Sequence, residues 1–301
     1  MKTIIVVAGP TAVGKTACAI ELASYFNTVI LSADSRQCFQ ELNIGVARPT
    51  VAELQMVPHF FIASHSIHEE LNAAWYETYS LNLLHQLFET KDIVVVCGGT
   101  GLYIKALTEG LDTIPEVGTT IRQKIVSGYK ENGIGWLKQE LLLKDPLFAS
   151  QGEMQNPQRM MRALEVVEAT GQSIISFHKK DQAARPFNII KLGLELSRDI
   201  LYERINARVD AMMEAGLEEE VRQLLPYRKL NALHTVGYRE MFDYFDGETS
   251  KERAIELIKQ NTRHYAKRQM TWFKKQENMH WVDLELTKNL STVVALLFQG
   301  G

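Results

Sequence analysis

Residues Gly9-Pro-Thr-Ala-Val-Gly14-Lys15-Thr16 constrain this chain more than any other stretch. They fit the spacing G-x-x-x-x-G-K-[ST] and stand between a β-branched run at 3–8 and a helical pattern through Ala17, Ile20, Leu22 and Ala23. The glycines let the backbone turn tightly, so that successive amide N–H groups converge on phosphate oxygens. The helix that follows adds the positive end of its dipole. Lys15 brings a mobile positive charge, and the Thr16 hydroxyl is placed to ligate Mg²⁺. The predicted ligand is a di- or triphosphate, but this motif alone does not name a reaction.

Further apolar runs at 28–31, 59–63, 93–97, 189–196 and 280–284 are separated by helical stretches. Such alternation predicts βαβ units and a mostly parallel, doubly wound sheet, a P-loop NTPase-like α/β core. The rhythm breaks between 113 and 187, where 120–130, 135–144 and 157–170 read as helices and no strand pattern stands out. The expected organisation is a catalytic core of 1–112 and 188–301 with a helical insertion at 113–187. A length of 301 residues suits two domains, and 46% hydrophobic with 23% charged residues is a globular composition. No run reaches the ~18–20 apolar residues of a membrane span. The N-terminal run reads as a buried strand rather than a signal peptide, so a cytoplasmic protein without a membrane partner is expected. Cys18, Cys38 and Cys97 are odd in number and lack metal-ligand spacing, which fits free thiols in a reducing compartment.

The run at 93–97 ends in Gly98-Gly99-Thr100-Gly101 rather than in the metal-holding acid that nucleoside triphosphatases carry there. The acid at a carboxyl end is instead Asp34, closing the second run. Ligands of open α/β sheets sit outside the carboxyl ends of the strands. Asp34, Thr100 and the phosphate loop are therefore expected to border one crevice, with Asp34 as a metal ligand or as a base toward an acceptor. A cap of a helix is the plain alternative for Asp34 and for Thr100.

Thirty-three basic against 36 acidic side chains leave a net charge of −3, so any nucleic-acid contact must be local. Residues 259–275 contain no acid. There Lys259, Arg263, Lys267 and Lys274 share one helix face, and Ile258, Tyr265 and Trp272 another. This predicts an apolar side on the core and a cationic side facing out, suited to an RNA backbone. Pro157 opens a second candidate helix, on which Arg159 and Arg162 share a face. A surface pair of Arg162 with Glu165 is the alternative there.

Taken in order, the phosphate loop, Asp34-Ser35-Arg36-Gln37, Ile44-Gly-x-Ala-x-Pro-Thr50 and Gly98-Gly-Thr-Gly-Leu-Tyr103 resemble the bacterial tRNA dimethylallyltransferases (tRNA isopentenyltransferases). Arg159-x-x-Arg162-Ala-Leu-Glu165, Gly237-Tyr-x-Glu240 and Tyr265-Ala-Lys-Arg-Gln-x-Thr-Trp-Phe273 extend the resemblance, which runs from about residue 4 to residue 275. It implies transfer of a dimethylallyl group from dimethylallyl diphosphate to the exocyclic amine of the adenosine 3′ of the anticodon, in tRNAs reading codons that begin with U. Under it, Asp34 is the base, Thr100 lies near the bridging oxygen of the diphosphate, and Arg122 approaches the substrates. Gly9, Pro10, Thr11, Ala12, Val13, Gly14, Lys15 and Thr16 hold the diphosphate, with Mg²⁺ on Thr16. Asp34, Ser35, Arg36 and Gln37 contact an extruded base, whose unstacking costs least in a loop. Gln158, Arg159, Met160, Met161 and Arg162 contact the anticodon loop, and Arg263 and Lys267 belong to the tRNA-bearing face. A monomer is expected.

The chain departs from the family's more usual residues at Cys38, Phe39, Val46, Arg48 and Phe60. Rival readings are an adenylate isopentenyltransferase acting on free AMP, ADP or ATP, a P-loop small-molecule kinase, and an RNA-binding protein with a relic loop.

Overall fold

The computed structural model describes residues 2–178 and 183–287. Along the chain come β1 (Thr3–Ala8), α1 (Lys15–Tyr25), β2 (Ile30–Ser32), α2 (Val51–Met56), β3 (His59–Phe60), α3 (Ala73–Leu87), β4 (Ile93–Gly98) and α4 (Gly101–Glu109). Three helices follow, α5 (Thr119–Lys144), α6 (Pro146–Gln151) and α7 (Pro157–Thr170). The chain then runs through β5 (Asn188–Glu195), α8 (Arg198–Glu214), α9 (Leu217–Leu224), α10 (Tyr238–Phe245), α11 (Lys251–Phe273) and β6 (Met279–Asp283). Two units divide these elements, one reaching to Glu109 and resuming at Ala184, the other Gly110–Ala183.

The first unit is built on a six-stranded sheet of order β3-β2-β4-β1-β5-β6, parallel at every pairing. β1 lies between β4 and β5 and is covered on both faces, which is what its continuous β-branched run asks for. Each such fully buried Ile or Val stabilises the fold by about 1.5–3 kcal/mol. Ala8 stands opposite Gly98 and Gly193, and Ser32 opposite Cys97. In register, therefore, the loop after β1, Asp34 after β2 and the Gly99 turn after β4 all leave the same edge of the sheet. The doubly wound α/β expectation holds.

β3 is shorter than the run at 59–63 predicts. Phe61 and Ala63 take positive φ (62° and 45°), a conformation that bulky residues rarely adopt and that ends the strand. Phe61 is held there by the rings of Trp75, Tyr76 and Tyr79 from α3.

The second unit contains no strand among its described residues. The two helices expected at 120–130 and 135–144 are the halves of α5, broken at Gly133 (φ 71°). α7 begins where Pro157 predicts, with Asn156 Oδ1 accepting from the amides of Gln158 and Arg159. Its buried stripe of Met160, Ala163, Leu164 and Val167 follows the helical period. α6 was not legible in the sequence; Asp145 caps it through Phe148 N (2.9 Å). The units change at 110 and 184 rather than at 113 and 188. Arg185 donates to Glu77 and to the Ala106 carbonyl (both 2.6 Å), which fixes the chain ahead of β5 to the sheet unit. The end of the expected 188–301 segment, beyond 287, lies outside the described residues. All three cysteines are free. No helix among the described residues is long and apolar enough to cross a membrane.

Candidate active site

At the carboxyl edge of the sheet opens a cleft of about 470 Å³. One wall is the phosphate loop. Gly14 precedes α1 with φ 114°, a left-handed conformation that a glycine supplies without strain. The first turn of α1 therefore starts with the amides of Lys15, Thr16 and Ala17 ahead of any intrahelical bond, since the first, Cys18 N to Gly14 O, comes later. Thr11, Ala12, Gly14, Lys15 and Thr16 line the cleft. Gly9, Pro10 and Val13, predicted as equal members of the cradle, are buried behind it and shape the turn rather than its surface. Lys15 Nζ donates to the Pro10 carbonyl (2.8 Å), and burial lowers its pKa to about 8 against the raising influence of Cys97 and Asp34. Two further cations come from α8: Arg208 reaches Thr11 Oγ1 (3.5 Å) and Arg204 the Val13 carbonyl (3.3 Å).

Asp34 stands on the same cleft. Its Oδ1 accepts from the amides of Arg36 (2.9 Å) and Gln37 (3.2 Å) in a turn, and no helix begins there, so the helix-cap alternative does not describe this carboxylate. Oδ2 carries no hydrogen bond among the described residues and is the oxygen left for a ligand. Thr100 sits behind this turn. Its hydroxyl accepts from Ser35 N (3.0 Å) and donates to Ser35 Oγ (3.3 Å), and its carbonyl accepts from the amides of Tyr103 and Ile104 in α4. It is thus tied to the Asp34 turn without lining the cleft, a correction to the single crevice expected. Ser35 is spent on the same contact, whereas Arg36 and Gln37 line the cleft.

The opposite wall is the segment 45–50. Gln37 Nε2 donates to the carbonyls of Val46 (3.2 Å) and Ala47 (2.9 Å), and Arg48 Nη2 to those of Phe39, Gln40 and Leu42. The approach to this wall is hung on one carboxylate. Glu220 accepts from the amides of Asn43 (3.1 Å), Ile44 (2.7 Å) and Gly45 (3.0 Å) and from the Tyr238 hydroxyl (2.6 Å). Burial, then the Glu220 charge, raise the Tyr238 phenol well above its ordinary value, so it stays a donor.

α11 closes the site. Ile258 is buried as expected and also lines the cleft, and the half-buried Trp272 packs over Gly101; Tyr265 lines the cleft as well, its hydroxyl pushed up by burial and by Asp34. The cationic face is less free than the sequence suggests. Lys259 pairs with Asp210 (2.5 Å), Lys274 with Glu195 (2.6 Å), and Arg263 donates to Asn206 Oδ1 (2.6 Å). Packing of α8 against α11 takes up Arg263, which corrects its assignment as an outward RNA contact. Lys267 is exposed.

In the helical unit, Gln158 and Arg159 are exposed, and Arg159 pairs with Glu153. Arg162 reaches Glu165 (3.3 Å), as the ion-pair alternative has it, and the Pro115 carbonyl (3.5 Å). Met160 and Met161 are buried in that unit's core, so the helical period removes them from the predicted RNA contacts. Arg122 is exposed on α5.

Sequence reasoning missed Arg208, Glu220 and the role of Gln269. Arg204 and Arg208 stand four apart on a helix, which was a readable signal; Gln269 stands inside the 265–273 motif, which marks the position but not its partners, and Glu220 acts on distant backbone and left none.

No group of three or more His, Cys, Asp or Glu among the described residues could hold a metal by itself. Mg²⁺ commonly takes only one or two protein oxygens and completes its shell with phosphate and water. The Thr16 hydroxyl, an oxygen donor on the cleft, fits that requirement, which leaves Asp34 Oδ2 for the base.

The IPP transferase family model matches residues 37–276. The tRNA dimethylallyltransferase of Cytophaga hutchinsonii is 48% identical over 280 residues, 93% of this chain and 92% of that one. The tRNA dimethylallyltransferase 1 of Bacteroides thetaiotaomicron is 47% identical, over 93% of this chain and 91% of its own. Among solved structures, the tRNA isopentenylpyrophosphate transferase of Bacillus halodurans superposes with a TM-score of 0.72 at 33% identity, covering 100% of this chain and 96% of its own. A eukaryotic dimethylallyltransferase acting on tRNA reaches a TM-score of 0.80 at 25% identity, over 99% of this chain and 79% of its own. With the phosphate loop, Asp34 and the matched length together, the chain belongs to the IPP transferase family.

Proposed function

We propose that this protein is a tRNA dimethylallyltransferase, which moves a dimethylallyl group from dimethylallyl diphosphate to the exocyclic amine of the adenosine 3′ of the anticodon. Its substrates are tRNAs reading codons that begin with U, and it acts as a cytoplasmic monomer. One observation carries the reading: a phosphate loop and a carboxylate with one oxygen uncommitted line the same cleft.

The chemistry follows from those two walls. The amine nitrogen forms a bond to the allylic carbon as the carbon–oxygen bond to diphosphate breaks. The exocyclic nitrogen is a weak nucleophile, and its proton passes to Asp34 as the new bond forms. The departing diphosphate gains negative charge, which the first amides of α1, Lys15 and Arg208 are placed to stabilise. Thr16 would hold Mg²⁺, which when bound would further neutralise that charge. Arg36 and Gln37 line the space beside Asp34, where an extruded base would lie. On the helical unit, Arg159 and Arg162 are the residues proposed to contact the RNA, and Arg122 is the one the family resemblance assigns to the substrates. Lys267 is a proposed backbone contact on the sheet unit, and Thr100 acts through the Asp34–Ser35 turn.

The test supplies radiolabelled dimethylallyl diphosphate with either an unmodified anticodon stem-loop or AMP. Label in the stem-loop is expected. Label in AMP alone would move the chain to the adenylate-specific reaction, and phosphoryl transfer from ATP without prenylation would make it a kinase.

A further inference from the structure

We infer that Gln269 is a positioning residue that holds the phosphate loop open and in register with the Gly99 turn. The inference rests on the diphosphate reading above and deepens it. Gln269 comes from α11, far along the chain from the loop, and is only 7% exposed. Its Oε1 accepts from Thr11 N (2.8 Å), and its Nε2 donates to the Gly99 carbonyl (2.9 Å). One amide thus joins the segment after β1 to the segment after β4.

The residue type suits this task. A glutamine offers a donor and an acceptor on one planar fork, so it satisfies an N–H and a C=O together. A lysine or arginine has no acceptor, and a carboxylate would bring negative charge into a cradle built for an anion. The room for the amide is provided by Gly99: a Cβ there would stand 2.3 Å from Gln269 Nε2 and 3.5 Å from Lys15 Nζ. Lys15, meanwhile, is bonded to Pro10, the residue just before Thr11. With Thr11 anchored, the Pro10 carbonyl and the lysine that leans on it keep their place ahead of ligand binding, so binding need not order the loop first.

The test uses the whole protein and two probes, inorganic diphosphate for binding and dimethylallyl diphosphate for turnover on the RNA stem-loop. Gln269→Met keeps the volume and removes both hydrogen bonds; Gly99→Ala displaces the amide while leaving the residue in place. In each, the Kd for diphosphate and the KM for dimethylallyl diphosphate should rise at least fivefold, with a smaller change in kcat. Hydrogen exchange at the Thr11 amide in the unsubstituted protein should be slow. If Gln269→Met melts near the parent temperature and binds diphosphate as the parent does, or if the Thr11 amide exchanges freely, the inference is wrong and the diphosphate reading stands. If the parent itself binds no diphosphate, that reading fails and takes the inference with it.

Discussion

At the carboxyl edge of the sheet, Asp34, Gln37, Arg48, Glu220 and Gln269 each bond to backbone groups, and all but Asp34 do so across a gap in the sequence. On α7 of the helical unit, Arg159 and Arg162 reach mainly the carboxylates of Glu153 and Glu165 nearby, from exposed or half-exposed positions. The first arrangement fixes the cleft before any ligand arrives, which is what stabilising charge in a transition state requires. The second keeps long side chains free to move. The exposed Arg159–Glu153 pair is worth about 0–1 kcal/mol, so an incoming phosphate can take Arg159 at little cost, whereas the buried Glu165 holds Arg162 more firmly. A rigid edge suited to chemistry and, on α7, a more adaptable cationic face follow from where each unit spends its hydrogen bonds.

The sharpest way to break this contrast is Asp34→Ala. It should lower the chemical rate by about 10²–10⁴-fold while RNA binding changes little, read by single-turnover prenylation beside a binding isotherm. A normal rate would reduce the edge to scaffold. Next in size is Glu220→Ala, which leaves three amides and the Tyr238 hydroxyl without their acceptor. Charge-assisted bonds of this kind support a loss of about 2–3 kcal/mol in denaturant unfolding; a loss below about 0.5 kcal/mol would mean that the 45–50 wall stands without its tether.

A smaller effect lies in pH. Lys15 has a pKa near 8, so it is charged below that and neutral above it in the free protein. A bound anion raises that pKa, so affinity for diphosphate should fall as pH climbs above 8, by up to about tenfold per unit until the bound-state pKa is passed. Diphosphate titrates in the same range, so the comparison is with Lys15→Arg, whose side chain stays protonated. Parallel profiles for the two proteins would remove Lys15 from the anion contact. The least effect belongs to the adaptable face. Replacing Arg159 and Arg162 by Ala should weaken stem-loop binding modestly and flatten its log–log salt slope by about 1–2. An unchanged slope would take α7 out of the interface.

How much of this was readable depends on the range over which each signal acts. The phosphate loop, β1, β4 and the caps of α7 are set by neighbours within a few residues, and periodicity and glycine placement foretell them. Asp34 was legible because a single acid closes a strand. The short β3 was not, since the positive φ of Phe61 depends on a nest of rings from α3. Met160 and Met161 are buried where the family resemblance implies RNA contacts, and the helical period already separates them from Arg159. Arg263 was misread for a different reason: a cationic stripe is visible in sequence, but Asn206, which takes up that guanidinium, lies on another helix. Gln269 and Glu220 reach across gaps of 170 and 177 residues to backbone groups, and nothing local marks the partners of such a contact.

The nucleosides of cellular tRNA test the proposed prenyl transfer most directly. Mass spectrometry should find, in tRNAs reading U-initial codons, an adenosine beside the anticodon that carries one dimethylallyl group in place of hydrogen when this gene is present, and the unmodified nucleoside when it is deleted. Identical nucleosides in the two strains, with no second gene covering the loss, would contradict it.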